Sequence, residues 1–238
     1  VLNGLARESA LDVIKVSFHV FGHLREDYCL LRSGGALGRG CGPLVVAREG
    51  MAPDELRGKR VAIPGKLTTA ALLLRLFDPD IEELIVMSFD EIMPAAERGE
   101  VDAGLIIHES RFTYPRHGLV KVIDLGEWWE ESTGHPIPLG GILARRALGA
   151  ELIGRIDRAL RESVEFAYAH PEEVRGYIRE HAQEMEDEVM RAHIDLYVNE
   201  YTLDYGAAGA AAIVDLLERA VSAGIVPESG MPLFVENA

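Results

Sequence analysis

Cations are scarce in this chain: 24 lysines and arginines stand against 39 aspartates and glutamates, a formal net charge of −15. Such a deficit disfavours a polyphosphate backbone or an anionic membrane surface as a partner, so neither nucleic acid nor membrane is expected. An anionic small molecule stays possible, because local donors in a cleft can outweigh the mean field. Cysteine is nearly absent. Cys29 and Cys41 lack CxxC spacing and a Cys/His cluster, which removes a disulfide framework and a zinc site and leaves two buried thiols as the plain reading. Long apolar runs are missing too: nothing approaches the ~20 residues of a membrane span, and no basic segment leads into a cleavable apolar stretch. A cytoplasmic protein is the expectation. The absence of a Gly-x-Ser-x-Gly elbow argues against a serine hydrolase, and the absence of a GK[ST] ending argues against a P-loop.

What is present alternates. The 238 residues suit two interleaved lobes of about 100 residues each. The chain opens on Val1 without an initiator Met, and Leu2, Leu5 and Ala6 have helical spacing, so it reads as starting inside an element. Strands are predicted at 12–17, 27–31, 44–47, 60–63, 84–87, 101–107, 120–123 and 140–144. Among the helices between them, one runs from Ala70 to Phe77 with Thr68 and Thr69 as N-cap candidates. Another starts at Ser88 with capping-box spacing to Glu91 and ends at Gly99. The run Val101 to Ile107 is almost continuously apolar, as expected of a buried parallel strand, and the alternation of strand and helix predicts a doubly wound parallel sheet. Trp128-Trp129 reads as a turn whose rings serve packing. From Glu151 the pattern turns helical, with Leu152, Ile156, Leu160, Val164 and Ala167 on one stripe. One lobe (1–48 and 141–238) interrupted by a smaller one (49–140) accounts for this order.

Several residues stand out chemically. The stretch from Arg32 to Pro43 is rich in glycine; it is either a tight loop with several positive-φ positions or a loop that lets backbone approach a ligand, with Arg39 supplying charge. Pro64 to Ala70 lies between a strand and a helix, where amides at the helix start favour a carboxylate or a hydroxyl-rich ligand; plain N-capping is the commoner explanation. His108 follows Leu105-Ile106-Ile107 directly, at the carboxyl end of the most apolar strand. Its unperturbed pKa near neutrality suits a general base if the strand aims it into a cleft; a surface or satisfied core histidine is the ordinary alternative. His19 and His23 are four apart in an apolar segment that does not read as a metal site. Lys15 and Ser17 share one face of their strand and Val16 takes the other.

Lys15-Val16-Ser17, the run from Leu31 to Leu44, Gly104-Leu105-Ile106-Ile107-His108-Glu109-Ser110-Arg111-Phe112-Thr113-Tyr114, Trp128-Trp129-Glu130-Glu131, Pro136 to Gly140 and Tyr197-Val198-Asn199 together resemble the 1,4-dihydroxy-6-naphthoate synthases of menaquinone biosynthesis. The resemblance spans nearly the whole chain. It implies an α/β, two-lobed periplasmic-binding-protein-like (type II) fold with the ligand in the cleft between lobes. It also implies a carbon–carbon lyase that converts cyclic dehypoxanthine futalosine to 1,4-dihydroxy-6-naphthoate and dihydroxyacetone without metal or organic cofactor. His108 matches the family's proton acceptor, here expected to be kept neutral by partial burial. Lys15, Val16, Ser17, Thr69 and Ala70 match its substrate contacts. Family members begin earlier, with a Ser-Pro-Cys-Pro-Asn-Asp-like loop after a first strand, so one strand and one helix of the first lobe are expected to be missing here.

Three other readings use the same fold. A non-catalytic solute-binding protein would carry an export signal or lipid anchor. The sister enzyme that dehydrates chorismate would lack the histidine of the IIHES motif. A ligand-sensing regulator would carry a helix-turn-helix, and none is found.

Overall fold

A computed structural model describes residues 2–181 and 187–235. Val1, on which the reading of the opening partly rests, lies outside them. In chain order the elements are α1 (Leu2–Arg7), β1 (Val13–Ser17), α2 (Phe18–Leu24), β2 (Tyr28–Leu30), β3 (Ala36–Gly38), β4 (Leu44–Ala47), β5 (Val61–Ile63), α3 (Thr69–Phe77), β6 (Leu84–Val86) and α4 (Phe89–Arg98). Then follow β7 (Ala103–Ile106), α5 (Ser110–Thr113), β8 (Val120–Asp124), α6 (Leu125–Thr133), β9 (Ile137–Arg145), α7 (Ala150–Ala169), α8 (Pro171–His181), α9 (Asp187–Tyr197), α10 (Glu200–Leu203) and α11 (Gly206–Ser222). No described helix is long and apolar enough to cross a membrane.

The chain divides into two units, Val1–Gly38 with Pro138–Ala238, and Arg39–Ile137. The first crossing therefore precedes β4, not Arg48. The reason is hydrogen bonding: Leu44, Val45 and Val46 pair with Ile106, Leu105 and Gly104, which commits β4 to the second unit's sheet. The return crossing lies at Ile137–Pro138, ahead of the expected Gly141.

In the first unit, β9 is the central strand. It pairs antiparallel with β1 on one side and β2 on the other, and β3 joins it as well. Gly140 is required there, because a Cβ would stand 2.6 Å from the carbonyl oxygen of Val16 on β1. Cys29, Leu31, Ala144 and Ile153 form one core cluster, with Ile156 and Leu160 of α7 packed against it. The expected α7 stripe is thus rotated: Ile153 is its buried member and Leu152 is 40% exposed.

The second sheet has the order β6-β5-β7-β4-β8. β6, β5 and β7 are parallel, whereas β4 runs antiparallel to both β7 and β8. In this sheet the all-parallel expectation fails at β4 alone, which runs against both neighbours while β8 keeps the direction of β7; burial on both faces produces an apolar run in either direction. Ile92, Ala95 and Ala96 of α4 pack on Leu44, Val46, Ala62 and Ile106. α3 buries Leu72, Leu73 and Leu74 completely, each worth about 1.5–3 kcal/mol relative to exposure.

Two local expectations change. Ser88 precedes α4, but its side chain makes no cap bond to the helix; its hydroxyl instead donates to the Asp90 carboxylate. Trp128 and Trp129 lie inside α6, not in a turn. Trp129 is fully buried with its indole N–H donating to the Pro136 carbonyl at 3.1 Å, and Trp128 meets Phe77 edge to face. Both rings serve packing, as their composition suggested.

Candidate active site

β6, β5 and β7 are adjacent and parallel, so the segments leaving their carboxyl ends emerge at one edge of the second sheet. Ligands of open α/β sheets bind beyond such ends. Among the segments leaving there are Ser88-Phe89 after β6, the loop to Thr69-Ala70 after β5, and the turn holding His108 after β7.

β7 is buried at every residue. His108 then adopts φ 57°; Ser9 is the only other non-glycine residue with positive φ among the described residues. A left-handed backbone on a side-chain-bearing residue costs roughly 1–3 kcal/mol and persists where surrounding structure enforces it. The side chain is exposed, so the expected partial burial does not hold. Its ring meets that of Phe89 edge to face, with centroids 5.7 Å apart and planes at 77°.

In the β5 loop, Thr68 is the N-cap of α3. Its hydroxyl accepts from the Ala71 amide at 3.1 Å and donates to the Gly65 carbonyl at 2.8 Å. Thr69 and Ala70 form the first turn and are each only 3% exposed. Any contact they make with a ligand therefore comes from the positive end of the helix, not from extended side chains.

The first unit holds the Lys15-Val16-Ser17 group on β1. Val16 points into the core, while Lys15 and Ser17 occupy the other face, as alternation required. Ser17 is also the N-cap of α2, and Asn3 grips it. The Ser17 amide donates to the Asn3 carbonyl oxygen at 3.2 Å, and the Asn3 amide donates to the Ser17 hydroxyl at 3.3 Å. Lys15 reaches solvent, yet desolvation by the surrounding protein lowers its ammonium pKa below the ordinary lysine value. Only a neutral amine is nucleophilic. With a limiting amine-acylating reagent near neutral pH, Lys15 should therefore be modified ahead of Lys59, Lys66 and Lys121. Peptide mass spectrometry reads the order, and equal rates at all four lysines would contradict the depressed pKa.

Gly34 and Gly40 take the positive-φ conformations foreseen for a tight loop, at 80° and 66°. Arg39 pairs with Glu130 at 3.3 Å and donates to the Gly134 carbonyl, so its charge is engaged within the second unit. Cys29 and Cys41 are buried free thiols, and burial pushes Cys41 up to about 12. Within either unit taken alone, no three described His, Cys, Asp or Glu side chains gather as metal ligands.

Three contributors escaped the sequence reading. Asn3 and Phe89 act through distant partners that no local pattern marks. Arg111 stands inside the IIHESRFTY run, but its ion-pair partner Asp124, 2.5 Å away, is marked in the sequence only by its helix-start spacing to Glu127, and Asp124 does cap α6.

The arrangement is that of the periplasmic-binding-protein fold class. A Candida albicans protein described as exhibiting the generic form of that fold is similar at a TM-score of 0.67, with 12% identity over 95% of this chain and 77% of that one. A structure from Archaeoglobus fulgidus is similar at a TM-score of 0.89 and 39% identity, covering 94% of this chain and 84% of that one. The chain belongs to the family described as "Menaquinone biosynthesis", which matches residues 1–222. Two relatives carry the name 1,4-dihydroxy-6-naphtoate synthase. The one from Streptomyces coelicolor is 53% identical over 97% of this chain and 83% of its own length. The one from Thermus thermophilus is 53% identical over 98% and 85%.

Proposed function

We propose that this protein is a carbon–carbon lyase that converts cyclic dehypoxanthine futalosine to 1,4-dihydroxy-6-naphthoate and dihydroxyacetone, with His108 as general base. The relatives' shared name supports the product, and membership of the menaquinone family supports the pathway. The observation that carries the base is the left-handed backbone of His108 at the carboxyl end of a fully buried parallel strand. Such backbone outliers cluster where chemistry requires an orientation.

In this reading the imidazole removes a proton from the bound substrate, the carbon–carbon bond then breaks, and aromatisation of the new ring drives the sequence forward. The exposure of His108 lets it return its proton to solvent after each turnover. Phe89 restricts the imidazole's orientation through its edge-to-face contact. Lys15, Val16, Ser17, Thr69 and Ala70 are the proposed substrate-binding residues; Lys15 offers a charge or a hydrogen bond and the start of α3 offers amides.

Incubating the protein with cyclic dehypoxanthine futalosine should yield the naphthoate, detected by absorbance and mass. Binding of this compound without turnover would favour a solute-binding role, and neither binding nor turnover would remove the assignment.

A further inference from the structure

We propose that Arg111 is a positioning residue for His108: its guanidinium locks the turn that carries the imidazole. This rests on the reading of His108 as the base.

The turn does not hold itself. α5 has only four residues, far below the length at which a helix is stable alone. The Arg111 amide reaches the His108 carbonyl at a long 3.3 Å, while Phe112 N to Glu109 O is 2.9 Å. Something outside the turn must keep His108 left-handed, and the Arg111 side chain is placed to do so. One arm donates to the Gly42 carbonyl at 2.7 Å and the other to Asp124 Oδ2 at 2.5 Å. The side chains of Arg111 and Asp124 are 18% and 1% exposed.

Its two anchors are themselves fixed. The other oxygen of Asp124, Oδ1, accepts from the amides of Gly126 at 2.8 Å and Glu127 at 3.2 Å, so the carboxylate is oriented by the start of α6. Gly42 leads into β4, and its Cα region lies against Gly126 so closely that a Cβ on Gly42 would stand 2.3 Å from the Gly126 Cα. Leu44 pairs with Ile106 on one side and Asp124 on the other. The end of β7, the beginning of β4 and the end of β8 therefore meet at one edge, and the guanidinium bridges all three. A planar fork serving two acceptors at once fixes direction as well as distance, which a lysine ammonium does not.

The test is Arg111→Lys, with kcat, KM and melting temperature measured on the lyase reaction. A loss of kcat of roughly tenfold to a hundredfold is expected, because a small misplacement of a reacting group has that effect. KM should move by less than about threefold, since binding groups elsewhere are untouched. In a His108→Ala background the same substitution should have no further effect on kcat, since Arg111 acts through the imidazole. The His108 ring resonances, assigned by their loss in His108→Ala, should shift or double in Arg111→Lys.

If Arg111→Lys does not fold, Asp124→Asn carries the test. Its amide oxygen still caps α6 while the charge that holds Arg111 is gone. Wild-type kcat in the folded variant, or an equal kcat loss with and without His108, overturns the proposal. Full activity in His108→Ala alone would instead overturn the reading of the base, so the two failures are distinct.

Discussion

Replacing His108 with alanine should lower naphthoate formation by about 10²–10⁴-fold, the usual contribution of a positioned general base, while leaving thermal stability close to that of the parent, since alanine keeps the Cβ and with it the same left-handed strain. The stability half of this expectation follows from the backbone. At φ 57° the residue carries strain of roughly 1–3 kcal/mol, and glycine at the same position relieves it. Glycine also loses more freedom on folding, a penalty of about 0.5–1 kcal/mol. Strain relief is the larger quantity, so His108→Gly should be equally stable or up to about 2 kcal/mol more stable in urea unfolding. Activity lost with stability kept or gained is the signature of a residue retained for chemistry. A destabilised His108→Gly would mark the residue as structural, and an active His108→Ala would end its role as base.

Gly42→Ala should be the most destabilising small substitution in the second unit. The new methyl would lie 2.3 Å from the Gly126 Cα and 2.4 Å from its amide nitrogen. Both are backbone atoms in the first turn of α6, held by the Asp124 cap, so no side chain can rotate away. Overpacking of this kind costs about 1–3 kcal/mol, and a rigid neighbour places the expectation at the upper end. Activity per folded molecule should fall as well, because the Gly42 carbonyl receives Arg111. Gly176→Ala is the control: nothing lies within 4 Å of it in α8, and alanine there should add about 0.5–1 kcal/mol. Denaturant midpoints of the two variants should therefore move in opposite directions, and a parent-like Gly42→Ala would show that the close approach is not obligatory.

Much of this site was legible locally. The apolar run ending at Ile107 identified a buried strand, and its end placed His108 where the chain turns into solvent. Thr68 signalled the start of α3 by its hydroxyl alone. Alternation along Lys15-Val16-Ser17 separated a core residue from two surface-facing ones. What escaped depended on strand direction and on partners remote in sequence. The apolar character of β4 says nothing about which way it runs, and only its pairing with β7 and β8 decides that it joins the second unit. Ser88 and Asp124 show the limit of capping rules. Ser88 has the spacing but bonds to Asp90 instead, while Asp124 caps α6 with one oxygen because Arg111 orients it through the other. The exposure of His108 was not readable either, for burial of a strand does not extend to the turn that follows it.

The central place of β9 has a consequence for synthesis. The second unit is complete once Ile137 has been made, and all five strands of its sheet come from one continuous stretch. The first unit waits: β1, β2 and β3 are made early, but the strand that pairs with each of them begins at residue 137. On the ribosome the inserted unit can therefore fold while its host remains an unpaired set of strand edges and exposed apolar side chains. Closing the host sheet joins segments far apart in the chain, the kind of pairing that slows folding and exposes a chain to aggregation. The arrival of β9 is thus the step on which a chaperone would act.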